Sequence, residues 1–161
     1  MKRSGFMKTI ASFQVNHDKL TPGIYVSRID GDVTTYDLRT RIPNAGDYMD
    51  HITMHSLEHM FATYVRNSAM GDQVIYFGPM GCQTGFYLLV RNRTPEEVLA
   101  AVRSVLKAII AHEGPVFGAS AEECGNYRSL SLAPAKREAE RYLSLLDSKE
   151  SIDFSYGEAS K

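Results

Sequence analysis

Asp30-Gly31 sits between two runs, Gly23 to Ile29 and Val33 to Arg41, that are rich in Val, Ile, Tyr and Thr. An Asp-Gly pair supplies the positive backbone angles of a two-residue turn whose twist matches that of paired strands. The flanking runs are therefore expected to return on each other as an antiparallel hairpin. A fold built on such a hairpin must cover its apolar face, and the sequence downstream offers helices for the purpose. Pro43, Asn44 and Gly46 break the strand pattern. Asp50 can then cap a helix running to about Asn67, with Ile52, Leu57, Met60, Phe61, Tyr64 and Val65 apolar. Gln73 to Phe77 and Gly85 to Val90 read as two further strands, separated by the glycine-rich Gly78-Pro79-Met80-Gly81-Cys82.

The next helix has a complete start signal: Thr94 caps, Pro95 takes the first position and Glu97 closes a capping box. Val98, Val102, Val105 and Ile109 form its core stripe, and Gly114-Pro115 stops it. A last helix starting near Pro134 puts Ala135, Ala139, Tyr142 and Leu146 on one face; from about Ser148 the tail is polar and expected to be mobile. Strands interleaved with helices predict an α+β fold, an antiparallel β-sheet packed against α-helices, as a single domain over residues 1–161.

Charge and composition narrow the function. A formal net charge of -1 with acids and bases interspersed gives no broad attraction for polyanions, so no nucleic-acid partner is expected. No apolar run approaches the roughly 20 residues of a membrane helix, so no membrane role is expected either. The start Met1-Lys2-Arg3 is followed by an apolar stretch broken by Lys8, Ser12 and Gln14, which is not a signal sequence; the expected location is the cytoplasm. In that reducing compartment the two cysteines, Cys82 and Cys124, read as chemistry rather than as a disulfide.

His55-Ser56-Leu57-Glu58-His59 has the form H-x-x-E-H, which on a helix projects both imidazoles from one face, where they can share an ion. Glu58 lies about 100° around the helix from His59 and can flank that ion without ligating it, as a base. A catalytic ion needs a third protein ligand and an open position. Cys124 is the strongest choice, because thiolate binds zinc or ferrous iron well; Glu122 and Glu123 beside it are acceptable substitutes, and His17, His51 and His112 are weaker ones. Cys82, between glycines that let a ligand approach closely, is a thiol suited to carrying protons.

These residues resemble the S-ribosylhomocysteine lyase family, which makes the precursor of autoinducer-2. HSLEHM from His55 to Met60 and GPMGCQTGFY from Gly78 to Tyr87 carry the resemblance, the second more specifically. SFQVNH at Ser12 to His17, YDLRTRIPN at Tyr36 to Asn44, Arg66 and ECG at Glu123 to Gly125 extend it over nearly the whole chain in order. The resemblance implies that His55, His59 and Cys124 hold one divalent metal ion per subunit, natively Fe2+, with Zn2+ or Co2+ able to replace it. It implies Glu58 and Cys82 as the acid-base pair. It implies a homodimer with active sites at the interface, across which Ser12, His17 and Arg39 reach the substrate, while Arg66 holds the homocysteine end. The implied reaction is cleavage of S-ribosylhomocysteine to L-homocysteine and 4,5-dihydroxy-2,3-pentanedione by successive carbonyl migration and β-elimination.

Three positions depart from the family's pattern: Asn16 stands in place of an aspartate, Gly78 of a serine, and Tyr76 of an acidic residue near the amino-acid end of the substrate. Two other readings share the motif. A metallopeptidase would use the glutamate of H-x-x-E-H to activate water and would recruit a downstream carboxylate as third ligand. A non-catalytic metal-binding or signalling module on the same scaffold would bind the ion and release no thiol.

Overall fold

The computed structural model describes residues 7–160, so the Met1-Lys2-Arg3 start lies outside the described residues. Strands β1 (Gly23–Asp30) and β2 (Val33–Arg39) form the expected hairpin with Gly23 opposite Arg39, but Asp30 pairs with Val33, so the two turn residues are Gly31, at φ 61°, and Asp32, one position later than Asp30-Gly31. Strands β3 (Val74–Pro79) and β4 (Gly85–Arg91) make a second hairpin. β4 pairs with β2, giving one four-stranded antiparallel sheet in the order β1-β2-β4-β3. β3 starts one residue later than the sequence suggests and runs on to Pro79, because its ladder to β4 continues through Gly78 opposite Tyr87 and Pro79 opposite Phe86.

Four helices accompany the sheet. The short α1 (Ala11–Gln14) has no periodic signal and is not foreseen from sequence. In α2 (His51–Arg66) the Asp50 carboxylate accepts from the Thr53 N–H, as its sequence position suggests. In α3 (Pro95–Ala111) both halves of the Thr94–Glu97 capping box are present. α4 (Leu132–Asp147) begins two residues ahead of Pro134, which sits harmlessly in the first turn, where helix N–H groups lack intrahelical partners. Among the described residues no helix is long and apolar enough to cross a membrane.

The three long helices pack on one another, α2 also on β3 and α4 on β1. Tyr36 and Leu38 of β2 and Phe86, Leu88 and Val90 of β4 meet Leu57 and Phe61 of α2, Val102 and Leu106 of α3, and Ala139 and Tyr142 of α4 in one core. Burial of each large apolar side chain there is worth about 1.5–3 kcal/mol. Alternation along β2 turns Asp37 and Arg39 to the face opposite Tyr36 and Leu38, yet both are buried, at 1% and 2% exposure.

The polar segment from Ser148 onward, expected to be mobile, docks along the edge strand β1, with Phe154 in the helix-side core and Tyr156 against this second face. Phe154 is buried, its carbonyl accepts from Val26 N–H at 2.8 Å, and the Ala159 carbonyl accepts from Asn16 N–H at 2.8 Å. Tyr156 stacks on Tyr25 with ring centroids 5.0 Å apart. Polarity predicts exposure of side chains; it says nothing of the backbone bonds and the single phenylalanine that dock this segment.

Candidate active site

Helical geometry brings His55 and His59 one turn apart on the same face of α2, with ring centroids 4.7 Å apart and planes at 90°. Each ring is oriented through its δ nitrogen. His59 Nδ1–H donates to the Phe117 carbonyl at 2.7 Å. His55 Nδ1 lies 2.6 Å from Ser129 Oγ, whose own proton goes to the Asn126 carbonyl at 3.1 Å. The serine oxygen is therefore the acceptor, His55 carries its proton on Nδ1, and both Nε2 lone pairs are left for an ion. Burial holds the His55 imidazolium below the usual histidine range, and the neighbouring charges of His59 and His51 add to this, so the neutral ligand form is favoured.

Cys124 arrives on the loop between α3 and α4. A backbone bond from its N–H to the Ser120 carbonyl at 3.1 Å and one from Asn126 N–H to its sulfur at 3.4 Å fix the thiol. The sulfur lies 3.4 Å from His55 Nε2, and the ligand atoms of His55, His59 and Cys124 all fall within 4.8 Å of one another. Tetrahedral N and S ligands of a zinc-like ion stand about 3.5 Å apart, so this donor set fits a borderline-soft divalent metal. Among the described residues no other such group forms. Glu123 is turned to Ser120 Oγ at 2.8 Å, and neither it nor Glu122 joins the histidines, so the carboxylate ligand of a metallopeptidase is not provided. His112 is occupied by Tyr64 and the Pro115 carbonyl, His17 lies by the Val15 carbonyl, and His51 is exposed one turn before His55.

Gly118 makes the loop's approach to α2 feasible. Its φ of +70° and its position, where a Cβ would lie 3.1 Å from His59 Nδ1, both favour glycine. Glu58, partly buried beside the cluster, has its carboxyl raised above the usual range by burial, against the opposing pull of His59 and His51. A carboxyl of that kind is suited to both accepting and giving a proton near neutral pH.

Cys82 belongs to a second group. It sits in the β3–β4 turn, where Gln83 takes φ 66° and pins the turn to the start of α2 through Gln83 Nε2 to the Met49 carbonyl at 2.8 Å and Met49 N–H to the Gln83 carbonyl at 3.0 Å. The exposed thiol opens on a cavity of about 350 Å³ that His17, Asn44 and Tyr48 also line. Behind it, Arg39 Nη1 points at the sulfur from 3.7 Å and donates to Thr84 Oγ1 at 2.9 Å, while Thr84 Oγ1 is 3.1 Å from the sulfur. Asp37 fixes the guanidinium through two bonds, at 2.6 and 3.1 Å. The loop lining the cavity is braced by Arg41, which bonds Glu138 at 2.5 and 3.0 Å and Asp47 at 2.7 Å; Asp47 also pairs with Arg141.

The structure thus brings His55, Glu58, His59 and Cys124 together, and separately brings Cys82, His17 and Arg39 together. Among the described residues no hydrogen bond or ion pair joins one group to the other. Ser12 lies in α1 and lines a different cavity, with Tyr87 and Leu89 on its far wall. Arg66 ends α2 and donates to the Ile75 carbonyl at 3.0 Å, which sets it beside Tyr76. The Tyr76 hydroxyl lies over Gly78, in the space that a Cβ there would fill. Sequence reasoning misses Ser129, the Phe117 carbonyl, Thr84 and Tyr156. Asp37 had a visible signal, since an acid and a base two apart on a strand share a face.

A family model described as S-Ribosylhomocysteinase (LuxS) matches residues 10–152. Proteins named S-ribosylhomocysteine lyase are similar over most of their length. One from Finegoldia magna is 42% identical over 157 residues, covering 94% of this chain and 100% of its own. One from Clostridium acetobutylicum is 43% identical over 147 residues, covering 88% and 93%. One from Borreliella burgdorferi is 38% identical over 156 residues, covering 93% and 99%.

Proposed function

The chain belongs to the S-ribosylhomocysteinase family, and we propose that it is a carbon-sulfur lyase cleaving S-ribosylhomocysteine to L-homocysteine and 4,5-dihydroxy-2,3-pentanedione. The observation that carries this reading is the convergence of two imidazoles and a cysteine sulfur in one cluster, within a chain that the family matches almost end to end. His55, His59 and Cys124 would hold one divalent ion per subunit, natively ferrous iron with zinc or cobalt as replacements, which when bound supplies Lewis acidity beside a sugar carbonyl.

The chain's own residues carry the protons. Cys82 is open to solvent, and Arg39 offers its sulfur a fixed positive charge when the proton leaves. Removing the proton at C2 of the open-chain sugar and returning one at C1 moves the carbonyl from C1 to C2; a second such exchange moves it to C3. The C4 proton is then acidic. Its removal by Glu58 forms the C4–C5 double bond, breaks the C5–S bond and releases homocysteine thiolate, which takes up a proton; the resulting enol then loses its C4 hydroxyl proton and gains one at C5, giving the dione.

The separation of the two groups within one chain supports a homodimer whose active sites lie at the interface, with Ser12 and His17 reaching the substrate across it, Arg39 standing buried behind the Cys82 sulfur rather than in the cavity, and Arg66 holding the homocysteine end. Exposed apolar side chains around the site, Phe13, Ile42, Tyr48 and Ile52, support the same arrangement. The working location is the cytoplasm. The test is thiol release from S-ribosylhomocysteine by metal-loaded protein purified without oxygen, since ferrous iron and free thiols both oxidise. Steady release of homocysteine is expected; a fully loaded protein that releases none overturns the reading.

A further inference from the structure

Tyr156 connects the C-terminal segment to the reacting thiol through two residues. Its hydroxyl donates to Asp37 Oδ2 at 2.9 Å, the oxygen that also accepts from Arg39 Nη2 at 2.6 Å. Arg39 in turn faces Cys82 and Thr84. The phenol is held in place independently of this bond, by its stack on Tyr25, whose hydroxyl donates to the Thr21 carbonyl at 2.7 Å. The same segment grips the other wall of the thiol's cavity: the Ala159 carbonyl takes the N–H of Asn16, immediately before His17, and His17 lines the cavity with Cys82. One stretch of chain therefore fixes both the support behind the sulfur and the backbone in front of it.

We infer that the C-terminal segment positions the reaction centre, and that Tyr156 is the positioning residue: by fixing the Asp37 carboxylate it aims Arg39 at the Cys82 sulfur. The inference rests on the reading of Cys82 as a proton carrier. Asp37 is shared between two donors, so the Tyr156 hydroxyl does two things that act in the same direction. It holds the carboxylate in the plane that receives the guanidinium fork, and it offsets part of the Asp37 charge that would otherwise compete with the sulfur for Arg39. The charged and titratable groups around the sulfur are Arg39 and Asp37 from β2, Tyr87 from β4, Tyr156 from the C-terminal segment and His17 across the cavity.

Tyr156→Phe removes the hydroxyl and keeps the ring on Tyr25. In the metal-loaded, full-length protein, kcat is expected to fall about tenfold, the worth of one hydrogen bond to a charged group, with KM held within about twofold. The rate at which iodoacetamide alkylates Cys82 near pH 7, followed by peptide mass spectrometry, should fall by a similar factor while the melting temperature holds. In an Arg39→Lys background the same Tyr156→Phe step should change neither quantity further, because the route through the guanidinium is already cut. Unchanged kcat and alkylation in Tyr156→Phe, a loss of melting temperature alone, or an equal loss in the Arg39→Lys background would each overturn the inference. The alkylation rate needs no turnover, so a wild-type protein that releases no thiol refutes the lyase reading and leaves this comparison to be decided on its own.

Discussion

His55 and Cys82 are both aimed by a neighbour, but the neighbours differ in kind. His55 takes its direction from a neutral hydroxyl, Ser129 Oγ, in a partly exposed loop. Cys82 takes its direction from a guanidinium 2% exposed, itself held by a carboxylate 1% exposed. Removing a neutral, half-wet partner leaves little stranded. Removing one member of a buried ion pair leaves a charge in a medium of low dielectric, which is strongly unfavourable. The half built on His55, His59 and Cys124 can therefore be altered one residue at a time, whereas the thiol half is tied to the folding of β2.

The largest effect expected is on turnover. Cys82→Ala should lower thiol release by about 10³-fold, within the range for loss of a proton carrier, and retain its metal. Cys124→Ala should lose the metal instead, as elemental analysis would report, and near-normal release by the Cys82 variant would erase the distinction between the halves. Next is stability: Asp37→Ala should cost about 3–5 kcal/mol by stranding Arg39, while Ser129→Ala should stay within about 1 kcal/mol of wild type. Comparable urea midpoints for these two variants would break the comparison.

A smaller change sharpens it from the other side. Ser129→Ala should weaken metal binding about 10- to 100-fold, read by competition with a chelator, because His55 loses the group that fixes its tautomer. The smallest effect concerns Tyr36, on the opposite face of β2 from Asp37. Its hydroxyl is buried with no hydrogen-bond partner among the described residues, and burial pushes the phenol up to about 12. The folded value lies above the unfolded one, near 10, so stability from the protonated phenol is complete below about pH 10 and is lost as pH rises towards 12. Tyr36→Phe should be as stable as wild type at neutral pH, and on the order of 2 kcal/mol less sensitive across that alkaline window. Equal alkaline melting of the two proteins would show that a polar group tied to neither half behaves no differently.

How much of this can be read from residues alone depends on how far the determining partner lies along the chain. Thr94 and Glu97 contain the whole start signal of α3, and Asp50 that of α2, so both helices and the His55–His59 pair are legible locally. Cys124 is different. Its approach to α2 depends on Gly118 passing close to His59, on Ser129 meeting His55 and on Ser131 N–H donating to Ser56 Oγ at 2.8 Å, none of which has a local pattern. The metal affinity of a thiolate ranks it above Glu122 and Glu123, and resemblance to a family, rather than periodicity, adds to that choice. Tyr156 lies in a segment whose polarity suggests looseness, and only the fold reveals the buried carboxylate that it meets.

The Tyr76 hydroxyl resting over Gly78 couples these two positions sterically. Tyrosine at 76 lies along β3 in the space that a Cβ at 78 would fill, so Gly78→Ser should swing the ring outward, whereas the same substitution in a Tyr76→Ala background should be accommodated in place.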